Sequence, residues 1–296
     1  MHAKRVWFAL HRNRPAISVA NTRIAPVQGC GYGHSVSTRD TEIDYCRGGL
    51  ETEDRAAARS NYSERLVLIP GAGVMPNKPH YERNWNHQPS PVARINCSWS
   101  AQKINYCNLS LLRPIAKNTR SNVHFRFFPG GPVMCGAYIA LRQEIGEVLG
   151  PRAPFQVLGA LGYESYMSVM EEAEFTLVPY PFGGYATATD AFFFGKPLVT
   201  LEGHKFYNRS AGSLLHKLGL HELVAQSEDD YVNIACRLID DGSYRQAIAD
   251  RIEGFDLDAS IFADDSSKQF TQAMQYLVKH HSRLQAEGER SPLVFE

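Results

Sequence analysis

The run PYPFGGYATATD, residues 179–190, places two adjacent glycines, Gly183 and Gly184, directly before a helix-forming segment that carries Thr187 and Asp190. An apolar run at 175–178 precedes it, and a second, 197–201, follows after Gly195. A strand, a glycine turn and a helix N-terminus together bind phosphate. The first N–H groups of the helix and the positive end of its dipole face the anion, and glycine lets the backbone come close. The pattern points to a nucleotide-linked substrate. Spacing alone fits a plain strand-to-helix connection equally well, so the flanking segments have to decide.

From about residue 94 the chain alternates short apolar strands (94–97, 123–128, 155–158, 175–178, 197–201, 223–225) with helical stretches (103–116, 136–148, 163–173, 187–194, 210–218). This alternation predicts a doubly wound α/β domain, a parallel sheet covered by helices on both faces. Such sheets bind ligands at the carboxyl ends of their strands, where the Gly183-Gly184 turn falls. Ser227 opens a further helix with a capping-box pattern through Asp240, followed by helices at 244–252 and 265–284. The polar residues after 287 read as a frayed tail.

The first ninety residues are organised differently. Strands are expected at 24–28, 42–45 and 65–70, with a short helix at 54–59; residues 1–22 show no clean period. The Gly-, Pro-, Asn- and His-rich stretch 71–91 reads as a linker. The expected division is therefore 1–90, 91–285 and a tail at 286–296.

Lys plus Arg and Asp plus Glu both number 31, so the net charge is zero. Neither a nucleic acid nor an anionic membrane is indicated as a partner. No apolar run approaches the about 20 residues of a membrane span. The start, MHAKRVW, lacks the apolar core of a signal peptide, so the expected location is the cytoplasm. The six cysteines form no CxxC pair and read as reduced, mostly buried residues, with no metal site implied. Asn-x-Ser sequons at Asn61, Asn96, Asn108 and Asn208 read as chance matches.

The 179–190 run, followed by GKPLVTLEG (195–203), RSAGSLL (209–215) and LGLHELVA (218–225), closely resembles the C-terminal catalytic half of the O-GlcNAc transferase family and the related bacterial N-glucosyltransferases that modify adhesins. Upstream, RIAPVQ (23–28) with GYGHS (31–35) and Asp44-Tyr45 resembles the end of that family's first Rossmann-like domain, and NCSWSAQK (96–103) the opening of its second. The resemblance covers roughly residues 23–280. It implies a metal-independent, inverting enzyme of the GT-B fold, with one complete Rossmann-like domain here and part of another. The donor would be a UDP-sugar, bound in a cleft between the domains, and the acceptor a protein or peptide. Lys103 would neutralise the diphosphate leaving group. Thr187 would bond a phosphate oxygen, and Asp190, set back along the helix so as not to repel the phosphates, would accept from the ribose hydroxyls. Taken alone, Lys103 is as readily a solvated helix-start lysine, and Asp190 a surface acid.

Other residues follow from the same comparison. His34 would face the acceptor or sugar as a base, the plain alternative being a loop histidine. His204 and Arg209 would line the nucleotide site, although Arg209 would equally serve a structural ion pair. Family members often carry a hydroxyl or amide residue where Tyr185 and Ala186 stand, which removes one expected phosphate contact. They also carry a longer stretch before the segment matching 23–28, with a histidine proposed to act in catalysis. The expectation is a truncated acceptor side. The leading reading is a UDP-sugar-dependent transferase moving GlcNAc or a hexose to Ser/Thr or Asn. The alternatives are an inactive nucleotide-binding remnant and a nucleotide-sugar epimerase.

Overall fold

The computed structural model describes residues 6–10, 18, 20–31, 36–39, 41–74, 76–84, 90–130, 135–151, 153–262, 266–288 and 290–296. The chain divides into two compact units. One comprises Met1–Met75, His204–Arg209 and Ala263–Glu296, the other Pro76–Gly203 and Ser210–Phe262.

The larger unit is built on β5 (Ala93–Cys97), β6 (Val123–Phe127), β7 (Phe155–Val157), β8 (Phe175–Leu177), β9 (Leu198–Leu201) and β10 (Val224–Ala225). The strands lie in the order β10-β9-β8-β5-β6-β7, and every pairing is parallel. Ile95, Phe125, Phe175, Leu177, Leu198 and Val199 have no solvent exposure. Along β5 and β6 the apolar residues Ile95, Cys97, Val123, Phe125 and Phe127 alternate with Arg94, Asn96, His124 and Arg126, of which Asn96 and Arg126 are buried and pair with each other, Arg126 Nε donating to Asn96 Oδ1 at 3.0 Å. Counted from its own first strand, the order reads 3-2-1-4-5-6. The winding reverses between β5 and β8, and in sheets of this kind ligands bind outside the carboxyl ends of the strands at such a reversal.

The smaller unit has a second parallel sheet, ordered β1 (Val6–Leu10), β2 (Val27–Gly31), β3 (Tyr45–Gly49), β4 (Arg65–Ile69), β11 (Leu293–Val294). Successive side chains of β4 go to opposite faces. Leu66 and Leu68 join Ala20, Cys30, Ile43, Cys46 and Ala58 in one core, whereas Val67 joins Val27 and Tyr45 beneath Ala273, Leu277 and Leu284 of the helix Ser267–Ala286. The backbone at the end of β3 touches that after β4. A Cβ at Gly49 would lie 2.1 Å from the carbonyl carbon of Ala72, so only glycine fits.

Both parallel α/β sheets agree with the expected class. The C-terminus does not. The helix Ser267–Ala286 belongs to the smaller unit rather than continuing the larger one, and the expected frayed tail adds β11 beside β4, with Phe295 N donating to Leu68 O at 3.0 Å. Arg65 pulls the tail in, donating to Ser291 O at 2.9 Å and to Glu287 Oε2 at 2.7 Å. The larger unit starts at Pro76, inside the stretch read as a linker. A strand, β1, occupies part of the unpatterned N-terminus, and β2 and β3 lie about three residues beyond the expected runs.

The expected Ser227 cap is present: its side chain accepts from Asp230 N at 3.1 Å. Asn96, Asn108 and Asn208 are buried, which removes these sequons from the surface. Among the described residues, no helix is long and apolar enough to cross a membrane.

Candidate functional site

The loops leaving the carboxyl ends of β5 and β8 carry the main candidates. After β5 the chain passes Trp99, whose buried indole donates to Leu177 O at 2.7 Å and so fixes the loop to the end of β8. A short 3-10 turn, Ala101–Lys103, follows, its first N–H bonded to Pro129 O at 2.9 Å. Lys103 then reaches across the switch point, its Nζ donating to Gly183 O at 2.8 Å. Burial lowers the pKa of this ammonium. A cation partly stripped of water, with three donors and, among the described residues, one protein partner, is suited to receive an anion.

Asn108 locks the two loops together. It sits 3% exposed in the helix Tyr106–Asn118, donating from Nδ2 to Lys103 O at 2.8 Å and accepting at Oδ1 from Tyr180 N at 2.9 Å. Asn105 caps the same helix by accepting from Asn108 N at 3.0 Å. On the far side, Tyr231 OH donates to Val178 O at 3.0 Å, steadying the end of β8.

The glycine turn carries a cis peptide at Tyr180-Pro181 and opens the helix Ala186–Phe193, which has no side-chain cap. A Cβ at Gly184 would stand 2.2 Å from Thr187 Oγ1. Glycine at 184 therefore keeps the Thr187 hydroxyl folded back over the turn, at the end of the helix where an anion would sit. Ala188, Ala191 and Phe192 bury the inner face of the helix. Asp190 is half-buried, and its Oδ2 accepts from Tyr166 OH at 2.8 Å. Burial raises its pKa, and the tyrosine bond works against that rise.

The structure thus brings together Lys103, Gly183, Gly184, Thr187 and Asp190 within one unit. Tyr185 is half-buried against the core and Ala186 is exposed at the helix start. His204 and Arg209 belong to the smaller unit. There the His204 side chain is 90% exposed, 3.8 Å from Asp54 Oδ2, and Arg209 lies in the field of the buried Glu53. His34 lies outside the described residues. The residue reading missed Trp99, Asn108 and Tyr166. Asn108 carried a usable signal: an amide placed among Leu109, Leu111 and Leu112 on an apolar helix face needs buried partners.

Residues 176–274 match the family model described as Glycosyl transferase family 41. The UDP-glucose:protein N-beta-glucosyltransferase of Actinobacillus pleuropneumoniae serotype 7 (strain AP76) is 25% identical over 242 residues, 77% of this chain and 37% of that protein. The probable UDP-N-acetylglucosamine–peptide N-acetylglucosaminyltransferase SPINDLY of Hordeum vulgare is 35% identical over 236 residues, 75% of this chain and 24% of that one. The chain therefore spans little more than a third of the first relative and a quarter of the second. Among solved structures, an O-GlcNAc transferase of Thermobaculum terrenum superposes with a TM-score of 0.69 at 22% identity, covering 87% of this chain and 48% of that one. Anabaena HepE, in complex with UDP and glucose, gives 0.60 at 12% identity, covering 92% and 78%. These likenesses give the fold, two parallel-sheet units of the GT-B class. The matched segment begins in β8, includes the glycine turn and ends inside the helix Ser267–Ala286, so residues 176–274 carry the match to a glycosyl transferase family 41 domain.

Proposed function

We propose that this chain carries the donor-binding part of a UDP-sugar-dependent glycosyltransferase that passes GlcNAc or a hexose to a protein or peptide. The observation that carries this reading is the Lys103 ammonium 2.8 Å from Gly183 O, across the switch point and beside an uncapped helix N-terminus. The names of the relatives, UDP-glucose and UDP-N-acetylglucosamine transferases acting on protein or peptide, support the donor and acceptor classes.

In this reading the diphosphate lies over the turn. A Ser/Thr oxygen or an Asn nitrogen of the acceptor attacks the anomeric carbon from the face opposite the diphosphate. The bond from that carbon to the phosphate oxygen breaks, and UDP leaves with the electron pair. Negative charge grows on the leaving oxygen, and Lys103, the Thr187 hydroxyl and the first N–H groups of the helix Ala186–Phe193 are aimed where it grows, which lowers the barrier. Asp190 accepts from the ribose hydroxyls and fixes the nucleoside. The acceptor proton passes to a base on the acceptor side, for which His34 is the candidate.

Calorimetric titration with UDP, UDP-glucose and UDP-GlcNAc, followed by a UDP-release assay with peptide acceptors, tests the proposal. Saturable UDP binding with acceptor-dependent release is expected. A folded protein that binds none of the three sinks the reading. Binding without turnover marks a donor-binding remnant, and conversion of UDP-GlcNAc without acceptor marks an epimerase.

A further inference from the structure

Asp190 is held from one side. Its Oδ2 takes the Tyr166 hydroxyl, and among the described residues no donor reaches Oδ1 and no cation is ion-paired to the carboxylate. Tyr166 projects from the helix Tyr163–Glu171, its ring edge-on to Phe128 with centroids 6.1 Å apart and planes at 84°. Phe128 directly follows β6, so the hydroxyl is referenced to the sheet rather than to a free loop. Burial pushes the Tyr166 phenol well above the ordinary tyrosine range. It keeps its proton and faces the carboxylate as a donor.

We propose that Tyr166 is a positioning residue for the nucleotide: its hydroxyl anchors Asp190 Oδ2, leaving Oδ1 turned out to accept the ribose hydroxyls. The inference rests on the donor-binding reading above and adds a residue that lies outside the glycine-turn motif. A single-point anchor on one oxygen gives the carboxylate a defined plane, and a defined plane is what makes hydroxyl recognition selective.

The same contact sets the charge of the acceptor. The titratable groups facing Asp190 are Tyr166 and Tyr163, both from the helix Tyr163–Glu171; Tyr163 OH is itself occupied, accepting from His80 N at 3.1 Å. Burial pushes the carboxyl pKa up and Tyr166 pulls it down. In Tyr166→Phe the pull is gone, so Asp190 takes up its proton at a higher pH. A protonated Asp190 is the weaker acceptor. UDP affinity should then fall off at a higher pH in the variant, while protonation of the diphosphate itself is common to both proteins.

Calorimetric titration of the wild type and Tyr166→Phe with UDP, 2′-deoxy-UDP and 3′-deoxy-UDP, from mildly acid to neutral pH, decides the matter. The wild type should discriminate against at least one deoxynucleotide. Tyr166→Phe should bind UDP about tenfold more weakly, lose much of that discrimination, and show its acid fall-off at higher pH. Phe128→Leu, which loosens the same packing but keeps the hydroxyl, should retain the wild-type pH midpoint, and this separates loss of the bond from loss of packing. Unchanged UDP affinity and pH midpoint in Tyr166→Phe would overturn the inference and leave the donor reading standing. An equal loss for all three nucleotides with an unmoved midpoint would make Tyr166 structural only. A wild type that binds no UDP overturns both.

Discussion

At Gly184 a single methyl group would collide with Thr187 Oγ1 at 2.2 Å. A threonine hydroxyl can rotate away at small cost to folding, so Gly184→Ala should melt near the wild-type temperature yet bind UDP about tenfold more weakly. Lys103→Ala and Asp190→Ala should each weaken UDP binding by about 1–3 kcal/mol, the range for losing a charged hydrogen bond; wild-type affinity in both would refute their assignment. A third residue prediction concerns Glu53 in the smaller unit. Burial raises its pKa to about 7, although it accepts from Tyr62 OH at 2.6 Å. Its folded pKa lies above its unfolded one, so the folded protein binds more protons between the two, and stability falls as pH rises from about 4.5 to about 7. The fall should be on the order of 3 kcal/mol, and denaturation midpoints measured across that range should show it abolished in Glu53→Gln. Thr187 stood out in the sequence through its place at a helix start behind two glycines, whereas Lys103 and Asp190 were singled out by the family resemblance, their own segments reading equally well as a solvated lysine and a surface acid. Tyr166 was not, because it lies on another helix and nothing in its own segment points to Asp190.

At the scale of elements, the site depends on two loops leaving adjacent strands at the reversal of the winding. Trp99 fastens one to the other through Leu177 O. Trp99→Phe keeps the aromatic bulk and leaves that buried carbonyl without its indole donor, so it should lower stability by about 1–3 kcal/mol, read as a shifted urea midpoint with an unchanged slope. Ser227→Ala should cost about 1 kcal/mol through loss of its cap on Asp230 N. The strands of the larger sheet were legible to within a residue or two. Runs such as 175–178 and 197–201 are apolar apart from Thr176 and Thr200, which are themselves buried, as burial on both faces favours. The smaller sheet was harder to read. VQGCG (Val27–Gly31) and YCRGG (Tyr45–Gly49) are buried strands rich in glycine, and glycine gives no hydrophobic signal. Their strand character comes from neighbours on either side, which a local pattern does not contain.

At the scale of the molecule, the chain's last residues return to its first sheet. Deleting 287–296 removes β11 and both Arg65 contacts and bares the edge of β4. The truncated protein should lose about 2 kcal/mol of stability and self-associate through that edge, visible by size-exclusion chromatography. A tail that was merely frayed would leave both unchanged. Polar composition suggested fraying, but an edge strand needs only two residues with open backbone groups opposite them, and that opening is made by β4 and Arg65, more than two hundred residues away. The sequence by itself determined the alternation of strands and helices and the glycine turn before a helix, because these depend on local periodicity and on residue chemistry. Only the tertiary structure decided that Lys103 meets Gly183, that Asn108 ties their loops together, that Tyr166 holds Asp190, and that His204 and Arg209 belong to the other unit. Those contacts join segments far apart in the chain, and the strand order that brings them together is set by how the whole sheet packs.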